Sequence, residues 1–339
     1  MRYKVVITEP ELGMLEKVLP YLTKRMDIVR IPSSEEGHWK RMTVDAHVIV
    51  ACYARITAGI IRAAPRLRGI VKYGVGVDSI DLAAASRAGV IVANCPVYGS
   101  ETIAEHAFAL MICLSRKIVP MDRSMRAAGW EHPIPALLGE DLAGKVLGII
   151  GCGRIGRAMA SRAACFRMRC IAYDPYVDAD ALAREGIARV TLDELLDTSD
   201  VVTVHAVLTP ETRGLIGKRE LRRMKSTALV INVARGAIID ESSLVSALRK
   251  GWIAGAGLDV FPNEPLPPDH ALIGMDNVIL TPHLAWYTRE AHERLERDTL
   301  RNLLDLLDGK LPPYVKNPEA VPLFIEKMKK DALPKYACT

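Results

Sequence analysis

The chain has 339 residues, half of them hydrophobic and a quarter charged, which is more than one core accommodates and excludes a disordered or fibrous protein. A net charge of +5 is only mildly basic and marks no nucleic-acid partner by itself. No uncharged apolar stretch approaches the ~20 residues that cross a bilayer, and charges at Lys4 and Glu9 spoil any signal-peptide core, so the expectation is a cytoplasmic protein with no membrane partner.

Short runs rich in Val and Ile recur along the chain. In the first hundred residues they predict strands at Lys4–Thr8, Asp27–Ile31, His47–Cys52, Gly69–Tyr73 and Val90–Ala93, with helices such as Glu11–Tyr21 and Thr57–Ala64 between them. The second half adds Val146–Ile150, Arg169–Tyr173, Val201–His205, Ala228–Val233, Ala254–Asp259 and Val278–Leu280. Continuous apolar runs, rather than alternating ones, describe strands covered on both faces, as in a parallel sheet between helices. The class is therefore α/β, and the strand number requires two doubly wound sheets.

Pro96 and Gly99 break the first half at NCPVYGSET, and an apolar helix follows over Glu101–Lys117, placed as a buried element between domains. A polar-rich helix is expected over Thr288–Leu307, then a Pro-containing tail from Leu311. A chain that leaves its first domain near residue 98 and returns near 286 gives residues 1–98 with 286–339 as one domain and 99–285 as the other.

Seven cysteines show no CxxC pairing and no His/Cys rhythm, so neither a disulfide framework nor a metal site is expected. The basic run Lys218, Arg219, Arg222, Arg223, Lys225 lacks interleaved aromatics and reads as one solvated helix face.

The sharpest motif is Gly151-Cys152-Gly153-Arg154-Ile155-Gly156, with a strand before it, a helix after it, and Asp174 at the end of the next strand, 18 residues past Gly156. Gly151 makes the tight turn, Gly153 admits a pyrophosphate to backbone N–H groups, and Gly156 allows close helix–strand packing. The helix N-terminus favours phosphate, and a carboxylate at 174 accepts from an adenosine ribose. A 2′-phosphate beside Asp174 would cost on the order of a few kcal/mol at an effective dielectric of ~20, so NAD is expected over NADP.

Ligands of doubly wound sheets lie beyond the carboxyl ends of the strands. That rule selects His205, Arg235, Asp259, Glu264 and His283. A guanidinium binds a carboxylate or carbonyl, an imidazole moves a proton, and a carboxylate beside it favours the imidazolium. Spacing does not choose between His205 and His283, nor does it exclude a structural Arg235–Glu264 pair. His106, on an apolar helix, reads as a packed histidine.

With these residues in view, the chain from about 45 to 318 resembles the D-isomer-specific 2-hydroxyacid dehydrogenases. The resemblance rests on KYGVGVDSIDL (72–82), the GCGRIG loop, HAVLTPETRGLI (205–216), MKSTALVINVARGAIIDESSL (224–244), AGLDVFPNEP (256–265) and TPHLAW (281–286). It implies a Rossmann NAD domain, a flavodoxin-like substrate domain, a hinged cleft, and a homodimer formed through the NAD domain. It implies interconversion of a 2-oxo acid and its D-2-hydroxy acid, with Arg235, Glu264 and His283 as the catalytic set. Backbone N–H groups of Val75 and Gly76 would bind the substrate carboxylate. Cofactor contacts would come from Arg154, Ile155, Asp174, Val207, Val233 and Asp259, beside the glycine loop. The HLAWY segment is similar to the branch containing the C-terminal-binding-protein corepressors, which leaves an NAD(H)-sensing scaffold as an alternative. Trp286 would then wall the substrate pocket or pack at the hinge. Ala51 stands where phosphoglycerate dehydrogenases place an arginine, which disfavours a phosphorylated substrate.

Overall fold

The computed structural model describes residues 2–9, 13–16, 26–31, 36–130 and 132–332. Most of the helix expected at Glu11–Tyr21 lies outside them. The chain forms two compact units, Met1–Gly99 with Arg289–Thr339, and Ser100–Thr288.

The first unit carries β1 (Tyr3–Thr8), β2 (Met26–Ile31), β3 (Val48–Ala51), β4 (Gly69–Lys72) and β5 (Ile91–Ala93). They form one parallel sheet in the order β2-β1-β3-β4-β5, the doubly wound order of flavodoxin-like domains. Strands β3, β4 and β5 are buried at every residue, as short continuous apolar runs require. Residues beyond Leu311 do more than trail away as the expected tail. Tyr314–Asn317 runs along the edge of β5, with an antiparallel bridge between Ala93 and Val315 and a hydrogen bond from the Lys316 N–H to the Val92 carbonyl. The buried Asn317 side chain imitates a further strand residue: its Oδ1 accepts from the Val92 N–H at 2.8 Å and its Nδ2 donates to the Val90 carbonyl at 2.9 Å. A helix then spans Val321–Ala332 with Phe324 fully buried. Flanking prolines hide this segment from a periodicity reading, because the pairing is carried by one bridge and one side chain.

The second unit carries β6 (Val146–Ile150), β7 (Arg169–Tyr173), β8 (Ile187–Arg189), β9 (Val201–Val204), β10 (Leu229–Asn232), β11 (Gly255–Leu258) and β12 (Val278–Leu280). The order β12-β11-β10-β9-β6-β7-β8 is all parallel and reverses direction at the β6–β9 neighbours, as in Rossmann domains, with a seventh strand added. Alternate residues serve opposite faces. Leu147, Ile149 and Ile231 join one apolar cluster, while Ile150, Val202, Val204 and Val230 join the other. The helix Ser100–Ser115, expected between domains, lies within this unit and sets Ala104, Ala107, Phe108 and Met111 into the first cluster. Gly257 lets it approach closely, since a Cβ there would stand 3.0 Å from the Leu110 Cβ. Strand β8 escapes the sequence reading because only Ile187 of its three residues is buried.

The basic run occupies the helix Lys218–Arg223 and the turn after it. Arg219 and Arg223 each reach Asp193 at 3.2 Å, Arg223 also pairs with Asp197, Lys225 reaches Asp200 at 2.8 Å, and Arg222 stacks over the Trp252 ring. Three of the five cations are therefore paired with carboxylates of neighbouring elements. Among the described residues no helix is long and apolar enough to cross a membrane.

Asn317→Ala would remove the side-chain partner of the buried Val92 N–H in β5 and of the Val90 carbonyl just before it. The expected loss is about 2–4 kcal/mol of stability in urea unfolding, against less than about 0.5 for the exposed Lys329→Ala.

Candidate active site

Strand β6 ends on the glycine loop. Gly151 has φ +86°, its N–H donates to the Tyr173 carbonyl at 3.0 Å, and a Cβ there would stand 2.5 Å from Ala206 backbone atoms. Gly156 faces the Gly151 carbonyl, where a Cβ would stand 2.5 Å from the oxygen. Gly153 heads the helix Arg154–Cys165 without a side-chain hydrogen bond to the first-turn amides, and nothing lies within 4 Å of where its Cβ would be. An open backbone at a helix N-terminus fits a pyrophosphate, so these residues fit a dinucleotide. Ile155 packs partly against the core, Arg154 and Val207 are exposed, and Val233 is buried. Cys152 is buried within the loop, and burial pushes its thiol up to about 12, so it stays protonated.

Asp174, half-buried at the end of β7, ties this loop together. One carboxylate oxygen accepts from the Cys152 N–H and the other from the Tyr176 N–H, each at 2.9 Å. From β8, Arg189 donates to the Pro175 carbonyl at 3.4 Å. The nearby guanidinium was not legible in the sequence, because it comes from the strand that was missed.

Three further loops follow β10, β11 and β12. After β10, the buried Asn232 braces the turn: its amide donates to the Arg235 carbonyl at 3.0 Å and its oxygen accepts from the Ala234 N–H at 3.0 Å. Gly236 follows, and any Cβ there would collide with Phe261 and Pro262 backbone. The β10 and β11 loops can meet only because that side chain is absent. Arg235 is half-buried, with Nη1 donating to the Ala234 carbonyl at 2.8 Å.

After β11, Asp259 is almost wholly buried, at 1 % exposure. Its Oδ1 accepts from Thr281 Oγ1 at 2.6 Å and from the Leu284 N–H at 3.0 Å, and its Oδ2 accepts from the Ala285 N–H at 2.9 Å. Its carbonyl accepts the His283 N–H at 2.7 Å. Sequence reasoning placed Asp259 at a cofactor contact and did not foresee these partners. Glu264 receives the Phe261 N–H at Oε1, 2.8 Å, and presents Oε2 to His283 Nδ1 at 2.6 Å. Both side chains are partly exposed, and His283 sits at φ +57°. Burial alone would raise the Glu264 carboxyl. The hydrogen bond and charge of His283, the Phe261 N–H and the Arg235 guanidinium outweigh it and hold that carboxyl below the usual range.

The two histidines left open by spacing differ in this structure. His205 Nε2 shares a hydrogen bond with Thr203 Oγ1 at 2.9 Å, its Nδ1 is buried without a partner, and burial pushes its pKa down to about 3. An imidazole in that setting stays neutral at physiological pH. His283 has a carboxylate against it. His106, expected to be packed, also has a polar partner: its Nε2 lies 3.0 Å from Thr281 Oγ1. Trp286 is buried at 7 % exposure, edge-on to Tyr287, which is 59 % exposed. The exposed aromatic ring of this segment is the next residue, Tyr287. In the first unit, the Val75 carbonyl accepts from Asn94 Nδ2 at 2.6 Å, after Gly74 at φ +133°.

Residues 108–285 match the model of the D-isomer specific 2-hydroxyacid dehydrogenase NAD-binding domain. The chain is 44 % identical over 269 residues to a glyoxylate reductase of Korarchaeum cryptofilum, covering 78 % of this chain and 81 % of that one. It is 38 % identical over 308 residues to a D-3-phosphoglycerate dehydrogenase of Archaeoglobus fulgidus, covering 90 % of this chain but 58 % of the relative. The crystal structure of a glyoxylate reductase from Paecilomyes thermophila superposes with a TM-score of 0.84 at 30 % identity, covering 94 % of this chain and all of that one. This chain belongs to the D-isomer specific 2-hydroxyacid dehydrogenase family, and its second unit is that family's NAD-binding domain. The relatives carry enzyme names, which lend no support to the corepressor-like branch.

A cofactor test follows from Asp174 and Arg189. The intact protein is expected to favour NADH over NADPH, and Asp174→Asn to shrink that preference at least ~10-fold, measured as the ratio of kcat/KM values.

Proposed function

We propose that this member of an NAD-dependent oxidoreductase family reduces glyoxylate or another small 2-oxo acid to the D-2-hydroxy acid, with His283 as proton carrier, Glu264 as its partner and Arg235 as the substrate clamp. The observation that carries the reading is the 2.6 Å pair between His283 and Glu264 at the carboxyl end of the nucleotide-domain sheet.

When bound, the nicotinamide supplies hydride to the carbonyl carbon. The protein's own groups do the rest. Arg235 brings a planar guanidinium that binds the substrate carboxylate or its carbonyl oxygen. Glu264, its carboxyl held below the usual range, engages Nδ1 of His283 and orients the ring, so the proton delivered to the carbonyl oxygen is carried at Nε2. Leaving with that proton, the substrate oxygen becomes the hydroxyl, and the neutral imidazole is recharged from solvent. Gly151, Gly153, Arg154, Ile155 and Gly156 would hold the dinucleotide's phosphates, Asp174 its ribose, and Val207, Val233 and Asp259 its remaining contacts. Val75 and Gly76 are assigned to the substrate carboxylate on the family resemblance alone. Glyoxylate heads the candidates because relatives bearing that name match most of this chain.

The test is NADH oxidation with glyoxylate, hydroxypyruvate, pyruvate and phenylpyruvate. Turnover typical of an enzyme is expected with at least one of them, and none with any would favour a scaffold. His283→Ala and Arg235→Ala are each expected to lower turnover at least ~100-fold. Wild-type turnover in either variant overturns the assignment.

The same reading includes a homodimer through the second unit. The helix Ile118–Ala128 has no buried residue, and Ile118, Met121, Met125, Trp130 and Leu138 are exposed apolar side chains. A recess of about 480 Å³ lined by Ile112, Ile118, Met121 and Leu138 adjoins them. So much exposed apolar surface in one segment fits the matching surface of a second copy. Sedimentation should give twice the 37.2 kDa chain mass, and Met121→Glu combined with Met125→Glu should give one chain. A monomeric wild type would remove the dimer from the proposal. A cytoplasmic location completes the reading, supported by described cysteines that are thiols rather than disulfides.

A further inference from the structure

We propose that His106 is a positioning residue for the reaction, acting through Thr281 and Asp259 on the loop that carries His283. The inference rests on the assignment of His283 as proton carrier.

The argument starts from one proton. Thr281 Oγ1 has a single hydrogen and lies 2.6 Å from Asp259 Oδ1 and 3.0 Å from His106 Nε2. An ionised carboxylate cannot donate, so the hydroxyl hydrogen goes to Asp259. Thr281 then accepts from His106, which places a hydrogen on Nε2 and fixes the direction of the whole chain. His106 donates to Thr281, Thr281 donates to Asp259, and the carboxylate is left to accept from the Leu284 and Ala285 amides. The distance from His106 Nε2 to Asp259 Oδ1 is 3.7 Å, too long for a direct bond, so the hydroxyl is the link.

The loop needs such an anchor. His283 holds a left-handed backbone at φ +57°, which a residue with a Cβ adopts only when its surroundings impose it. Three amides in succession, at 283, 284 and 285, donate to Asp259, the first to its carbonyl and the others to its carboxylate. Turning the Asp259 carboxylate would release two of the three and let the imidazole swing away from Glu264. Thr281 opposes that turn from one side, and His106 fixes Thr281. His106 itself stands on the sixteen-residue helix Ser100–Ser115, whose apolar side is set in the core. The chain thus ties a mobile type of element, a loop, to a rigid one. A displacement of about 1 Å in a proton carrier costs up to ~100-fold in rate, so an anchor remote from the substrate affects turnover.

The test uses the full-length protein and the 2-oxo acid it turns over fastest. Thr281→Val and His106→Leu are each expected to lower kcat about 10-fold or more, while KM and the NADH dissociation constant, read by fluorescence titration, stay within about 2-fold. Thr281→Ser should restore kcat to within about 2-fold. The double variant should be no worse than Thr281→Val alone, since both cut the same chain. Wild-type kcat in Thr281→Val, multiplicative losses in the double variant, or a loss matched by weaker NADH binding would each overturn the proposal. Should Thr281→Val fail to fold, His106→Leu beside Thr281→Ser carries the same comparison. His283→Ala separates this inference from the reading beneath it. If that variant keeps wild-type turnover, the proton-carrier assignment falls. If it loses ~100-fold while Thr281→Val loses nothing, only the role of His106 falls.

Discussion

The 2.6 Å contact between His283 Nδ1 and Glu264 Oε2 is the interaction on which the proposed chemistry of the second unit rests. An imidazole near a carboxylate is common on protein surfaces and worth little there. This pair differs because both partners are held by backbone. Glu264 is fixed by the Phe261 N–H, and His283 by the chain of amides that ends on Asp259. The residues come from loops after two different strands, and only a parallel sheet delivers the carboxyl ends of neighbouring strands to one side.

The same constraint explains the glycines that matter. Where β6 meets β9, Gly151 must pass Ala206, and where the β10 and β11 loops meet, Gly236 must pass Phe261 and Pro262. A methyl group at either point would push the loops apart. Such crowding follows from close strand spacing: neighbouring strands lie about 4.8 Å apart, so the loops that extend them stay close until something turns them away. Asp174 does for the glycine loop what Asp259 does for the histidine loop, using a carboxylate at a strand end to gather backbone amides.

Much of this was legible in advance because the evidence for it is local. Five consecutive residues such as Val146–Ile150, or four such as Val201–Val204, spell buried strands in their own composition, and the glycine spacing spells its turn. Strand β8 could not be read so, because a three-residue edge strand with one buried side chain has no periodicity to detect. The pairing of Tyr314–Asn317 with β5 was equally silent, since a side-chain amide in place of a ladder residue leaves no pattern. The partner of His106 was hidden for a related reason. An apolar helix argues for packing, and the hydroxyl that engages the ring lies 175 positions further on.

The amino-acid sequence by itself determined the class of fold, the turn that faces a dinucleotide, and the short list of strand-end residues able to do acid–base chemistry. Each of these depends on residues that are neighbours along the chain. Placing His205 beside Thr203 while setting His283 against Glu264, turning Trp286 inward while leaving Tyr287 exposed, and linking His106 to Asp259 through Thr281 were decided only by tertiary structure. A proton carrier is defined by what surrounds its ring, and those surroundings are assembled from segments that no local pattern relates to one another.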